Sequence, residues 1–198
     1  ATNLLFQNAL SREDETNMRL VNRLLRDSLV GRNNIRSIHI ITREGNVISE
    51  FKEPSYLKND EEFLQQFDLQ AIDKEKGSAY WGIGTNVLEP KVGNTLYLAR
   101  VIRSKARLEP LGYLVVYLDP VDFNKDCDDI LRNISMQVII KDSSGATLKI
   151  PDNLELDNLE EVIKWKSKEY HYIKEGSKKY YYTVQEMSIL NGMIMGLN

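Results

Sequence analysis

A chain of 198 residues, 42% hydrophobic and 28% charged, with 11 Gly and 5 Pro, has the composition of a folded globular protein rather than a disordered tail or a fibre. It is long enough for one large domain or two of roughly 80–100 residues. The net charge of −3 is evenly spread, with 16 basic against 15 acidic residues through Leu118 and 10 against 14 beyond it, so neither half carries the basic field of a nucleic-acid backbone binder.

The single cysteine, Cys127, excludes an internal disulfide and a Cys-based zinc site. No apolar run approaches the ~20 residues of a spanning helix. Residues 1–12 lack the basic start and apolar block of a signal peptide.

In chain order, residues 2–30 read as one helix. Met18, Val21, Leu25 and Leu20, Leu24 recur at three- and four-residue steps, and Gly31 offers a left-handed stop. At 1.5 Å per residue such a helix reaches ~44 Å, more than a small sheet can cover. Its first residues, Leu4, Leu5, Ala9 and Leu10, are therefore expected to project or to pair with a second copy.

Strands are expected at 35–42 and 47–51 around the Gly45-Asn46 turn, then a helix over 59–73, then strands at 79–84, 95–103 and 111–118. The same plan follows again. A helix over 122–133 leads to strands at 134–141 and 146–150 around Asp142-Ser143-Ser144-Gly145. A helix over 156–166 then precedes strands at 168–174, 179–186 and 188–197.

The two halves align with an offset of about 100 residues, each a β-rich run ending in a polar turn with Gly. The fold expected is α+β: a long N-terminal helix (1–33), then two tandem PAS-like modules (34–119 and 120–198), each an antiparallel sheet flanked by helices.

Enzyme signatures are missing. There is no P-loop, no His-Glu-x-x-His and no Gly-x-Ser-x-Gly. Gly82-Ile83-Gly84 runs into Thr85-Asn86-Val87 rather than a helix, so it fails as a dinucleotide fingerprint. Asp126, Asp128 and Asp129 lack the glycine turn and terminal Glu of a calcium loop and read as a solvated acidic face. His39 and His171 each lie in an apolar-alternating run, the setting of a hydrogen-bonded structural histidine. No catalytic residue, metal ligand or cofactor is expected in this segment.

What the sequence offers is a binding surface. Tyr80 and Trp81 open the third strand of the first module, Arg100 interrupts an apolar strand, and Tyr113 and Tyr117 alternate with Leu114, Val116 and Leu118. Aromatic walls with polar tips and one guanidinium suit a small polar ligand. The candidate ligand-binding residues are Trp81, Arg100, Tyr113 and Tyr117, with Tyr80 less favoured because a regular strand points it away from Trp81. In the second module Tyr170, Tyr172, Tyr180, Tyr181 and Tyr182 alternate with Lys and Glu across a hairpin. Cross-strand aromatic pairing accounts for them better than single-stranded nucleic acid does.

The order and spacing of these parts resemble the double Cache (dCache) extracytoplasmic sensor domain, in particular that of bacterial sensor histidine kinases partnered with AraC-type response regulators. The marks are residues 17–29 running into Ile35-Arg36-Ser37-Ile38-His39-Ile40 and Gly45, then Trp81, Leu98-Ala99-Arg100-Val101-Ile102, Gly112-Tyr113-Leu114-Val115-Val116, and Val138-Ile139-Ile140 with Gly145.

The resemblance implies a transmembrane helix on either side of the segment, a membrane-distal first module that holds the ligand, and a membrane-proximal second module that relays. It also implies a homodimeric receptor in the cell membrane with this domain outside. Amino-acid-binding members carry an Arg-x-Trp pair and an Asp near the end of the last distal strand. Here Ala79 stands two residues before Trp81 and Tyr117 takes the Asp position, so a sugar or organic acid is expected rather than an amino acid.

Overall fold

The computed structural model describes residues 10, 15–54, 57, 59–85, 94–105, 107–133, 136–150, 170–175 and 178–197. The chain divides into two compact units, one ending at Asp119 and the other beginning at Pro120.

In the first unit, helix α1 (Glu15–Leu29) buries Val21, Leu25 and Leu29, one residue per turn of a single face. Gly31, at φ +74°, ends it. Strands β1 (Ile35–Thr42) and β2 (Val47–Phe51) form a hairpin whose turn places Gly45 at φ +87°. Two short helices follow, α2 (Asp60–Leu64) and α3 (Leu69–Lys74), then β3 (Tyr80–Thr85), β4 (Asn94–Arg103) and β5 (Pro110–Leu118).

The sheet is antiparallel in the order β2-β1-β5-β4-β3. Its outer face carries Ile38, Ile40 and Ile102, packed with Val21, Leu25 and Leu29 of α1 and with Leu10. Its inner face carries Ile41, Tyr80, Tyr97, Ala99, Val115 and Tyr117, packed with Phe63, Phe67 and Ile72 from the α2–α3 segment. Fully burying a side chain such as Phe63 contributes roughly 1.5–3 kcal/mol.

The single helix expected over 59–73 is two helices. The Asp68 carboxylate accepts from the Ala71 amide and starts α3 afresh, as Asn59 starts α2 by accepting from Glu61 and Glu62. Periodicity alone could not separate them, because Phe63, Phe67 and Ile72 face the sheet across the break. The long helix is corrected at one position as well. Leu10, expected to stand clear of its own module, is buried at 4% exposure in the outer-face cluster, while Leu4, Leu5 and Ala9 lie outside the described residues.

The first unit closes on a buried carboxylate paired with partly exposed cations. Asp119, at the end of β5, meets Lys52 Nζ at 3.4 Å and Arg36 Nη1 at 3.9 Å, and its amide donates to the Asn34 carbonyl. Lys52 also donates to the Asn33 carbonyl at 2.8 Å, and Arg36 reaches Glu53 at 3.4 Å.

The second unit has helix α4 (Pro120–Asn133), β6 (Gln137–Lys141), β7 (Thr147–Ile150), β8 (Tyr170–Glu175), β9 (Lys178–Met187), a 3-10 turn (Ser188–Leu190) and β10 (Gly192–Leu197). Its sheet order, β7-β6-β10-β9-β8, repeats that of the first unit, with the last strand inserted beside the first. Gly145, at φ +93°, answers Gly45. Gly112 is the third residue of β5 and Gly192 the first of β10, and at each an added Cβ would collide with the carbonyl of Ile41 or of Lys141. These paired glycines carry the internal repeat into the backbone.

Helix α4 starts at Pro120, two residues before Asp122, because proline is tolerated in a first turn. The strand expected over 188–197 opens as the 3-10 turn, with Asn191 at φ +45° ahead of β10. The helix expected over 156–166 lies outside the described residues.

Candidate functional site

The inner face of the first sheet gathers aromatic side chains in cross-strand rows. Residues directly opposite in an antiparallel sheet share a face. One row runs Gly82, Tyr97, Tyr117, Ser37 and Phe51, and the next Tyr80, Ala99, Val115, His39 and Ser49. Tyr113 lies beyond these, opposite Val101 and Ile41. The α2–α3 segment lays Phe63 and Phe67 across them. The Phe67 and Tyr97 rings stand perpendicular with centroids 5.2 Å apart, and Tyr97 and Tyr117 are 5.6 Å apart.

Two phenols reach polar groups of the helical segment. Tyr113 donates to Asp73 Oδ2 at 3.1 Å, and Tyr117 donates to Gln66 Oε1 at 3.3 Å. Burial raises the Tyr117 phenol above its ordinary range. Tyr113 is also raised, by burial first and then by the Asp73 carboxylate, while Arg103 and Arg43 pull it back.

His39 lies between two serines, Nδ1 against Ser49 Oγ and Nε2 against Ser37 Oγ, each at 2.8 Å. Ring contacts with Phe51, Phe63 and Tyr117 enclose it. Burial pushes its pKa down to about 3, so the imidazole is neutral, donating to one hydroxyl and accepting from the other. It is the structural histidine that its sequence setting suggested.

The five residues singled out in the sequence divide between the two faces. Tyr80, Tyr113 and Tyr117 share the inner face. Trp81 is opposite Leu98 in the row that continues to Val116 and Ile38, and Arg100 is opposite Leu114, so both belong to the outer face. Arg100 is exposed there. The reason is parity. β4 runs without a bulge from Asn94 to Ile102, and Arg100 is three residues from the inward Tyr97.

The sequence reading missed Tyr97, Gln66 and Asp73. Tyr97 has the inward parity of Ala99 in its own strand. Gln66 and Asp73 gave no signal, because only tertiary packing brings them to the phenols. Among the described residues no group of three or more His, Cys, Asp or Glu is placed to hold a metal ion.

Chemically, this face offers phenol hydroxyls that donate to Asp73 and Gln66 and aromatic rings packed against Phe63 and Phe67.

No family model and no curated protein matches the chain. Solved structures do. The ligand-binding domain of the Campylobacter jejuni chemoreceptor Tlp3, in complex with 4-methylisoleucine, aligns at TM-score 0.62 and 11% identity over 96% of this chain and 75% of its own. The ligand-binding domain of the Pseudomonas aeruginosa PAO1 amino acid chemoreceptor PctC, in complex with GABA, aligns at 0.59 and 15% over 98% and 85%. The extracellular domain of vpHK1S-Z8, described as a histidine kinase, aligns at 0.56 and 12% over 99% and 78%. The two five-stranded antiparallel sheets of this chain, with the helix that precedes them, share the fold of these ligand-binding and extracellular domains.

Proposed function

We propose that this chain is the extracellular ligand-sensing domain of a membrane-bound signal-transduction receptor that works as a homodimer, a two-component sensor histidine kinase as the first reading and a chemoreceptor or cyclase receptor as the alternative. The observation that carries this reading is the tandem sheet order, 2-1-5-4-3 in both units, in the fold of receptor sensor domains. The segment acts by binding. The first unit is the membrane-distal module and takes a small polar ligand on its tyrosine-lined inner face, and the second unit relays. Ligand favours one arrangement of the α2–α3 segment against the sheet, and its differential affinity for that arrangement is the signal.

A sugar or an organic acid fits this face better than an amino acid. Among the described residues the carboxylate bonded to a phenol of this face is Asp73, which accepts from Tyr113 and is not free for an α-ammonium. For an acid, the positive charges of Arg103 and Arg43 act on the Tyr113 phenol. Differential scanning fluorimetry with sugars, organic acids and amino acids tests the assignment. A sugar or organic acid is expected to raise Tm, and Tyr117→Phe and Tyr113→Phe to weaken that shift, while Arg100→Ala leaves it intact. A shift abolished by Arg100→Ala and untouched by both tyrosine changes overturns the inner-face site.

A second reading, a protein-interaction module without a small-molecule pocket, is favoured by the filling of the same face. Phe63 and Ile72 are fully buried there, and Tyr97 and Tyr117 nearly so. Silence across the whole ligand panel supports it.

A further inference from the structure

In the second unit β8 is the edge strand, and β9 is its neighbour. Their register sets Tyr172 opposite Tyr181 and, one row nearer the turn on the same face, Lys174 opposite Lys179. The intervening row points the other way, and Tyr182 and Val184 of β9 go to the core of the unit. Both tyrosines are solvent-exposed, Tyr172 at 60% and Tyr181 at 56%, and both lysines are exposed. The two rings are 6.5 Å apart at 51° to each other, and Lys179 Nζ stands 4.8 Å from the Tyr172 centroid.

Two features of this patch oppose stability of the isolated unit. Like charges directly across a ladder repel. The two tyrosines, partly covered by one another and by Lys179, still keep more than half of their surface in water, when burial would stabilise it. An anionic partner with apolar faces removes both costs.

We propose that this patch binds an acidic carbohydrate, a glycan chain carrying carboxylates. The C–H faces of its sugar rings cover the two phenol rings, and its carboxylates lie between the two ammonium groups. Other partners fit less well. An anionic lipid surface would meet the whole unit, in which acidic residues outnumber basic ones 13 to 10 from Pro120 onward. Single-stranded nucleic acid gains little from two lysines without arginine. A two-fold contact between copies would bring both lysine pairs together with no acid among the four positions.

Affinity electrophoresis of the 198-residue chain through gels holding polygalacturonate tests the proposal, with neutral dextran, oligo-dT and phosphatidylglycerol vesicles as comparisons. Retardation by polygalacturonate alone is expected, falling about 25- to 60-fold for a tenfold rise in salt as the counterions of about two neutralised charges are released. The double variant Lys174→Ala/Lys179→Ala should lose most of that salt dependence. Tyr172→Ala/Tyr181→Ala should keep the salt slope and bind about fivefold more weakly or worse. The single change Lys179→Glu gives a milder variant should either double change fail to fold, and it should also weaken retardation.

Equal retardation by dextran, capture by oligo-dT or vesicles in place of polygalacturonate, or folded variants that migrate as wild type would each overturn the proposal. The inner-face reading of the first unit is measured on other residues and stands or falls separately.

Discussion

Tyr97 lays its ring across Gly82, its partner on the neighbouring strand, and fills the space where a side chain would otherwise project from β3. A Cβ at Gly82 would collide with the Tyr97 hydroxyl and stand 2.8 Å from Cε1, and the ring, only 3% exposed and held by Phe67, has nowhere to swing. The glycines of Gly82-Ile83-Gly84 thus accommodate protein tyrosines rather than a phosphate. Gly82→Ala is expected to cost about 1–3 kcal/mol of unfolding free energy through overpacking, read from urea denaturation. An unchanged midpoint would mean that Tyr97 is free to move.

His39 gives the protein an acid-sensitive core. Its pKa is near 6.5 in an unfolded chain and about 3 in the native state, so between those values the unfolded state binds a proton that the native state does not. Its contribution to stability is therefore complete above about pH 6.5 and is lost as pH falls towards 3, by up to roughly 1 kcal/mol per pH unit. His39→Gln should flatten that part of the profile while lowering stability at pH 7, because Gln does not reproduce the bonds to Ser37 and Ser49. An identical slope in the variant would show that other groups set the acid limit.

Arg100 and Asp119 should behave oppositely. Arg100 is exposed on the outer face, and Arg100→Ala is expected to change stability by no more than about 0.5 kcal/mol. Asp119 is buried beside Lys52 and Arg36, and Asp119→Ala leaves those cations facing a partly desolvated hole, at an expected cost of about 2–4 kcal/mol. Thermal and urea unfolding of the two variants side by side checks the contrast.

Much of the fold was legible in the residues. Alternating runs such as Ile38-His39-Ile40-Ile41, the turns at Gly45 and Gly145, and the repeat between the halves gave the strands, their hairpins and the tandem plan, because these are local properties of the backbone. The break between α2 and α3 was less legible, because Asp68 acts as a cap only once the chain has bent there.

The sequence by itself determined which side chains share a face within one strand, since side-chain direction alternates along extended backbone whatever surrounds it. That parity sets Tyr113 with Tyr117, and Tyr80 apart from Trp81. Only the tertiary structure decided which faces of different strands coincide. Register between β3, β4 and β5 joined Tyr80, Tyr97 and Tyr117 and sent Trp81 and Arg100 to the opposite side. The packing of α2 and α3 then brought Gln66 and Asp73 to the phenols from 51 and 40 residues away. Pairing between distant segments is fixed by burial of the whole sheet, and no short stretch of sequence carries it.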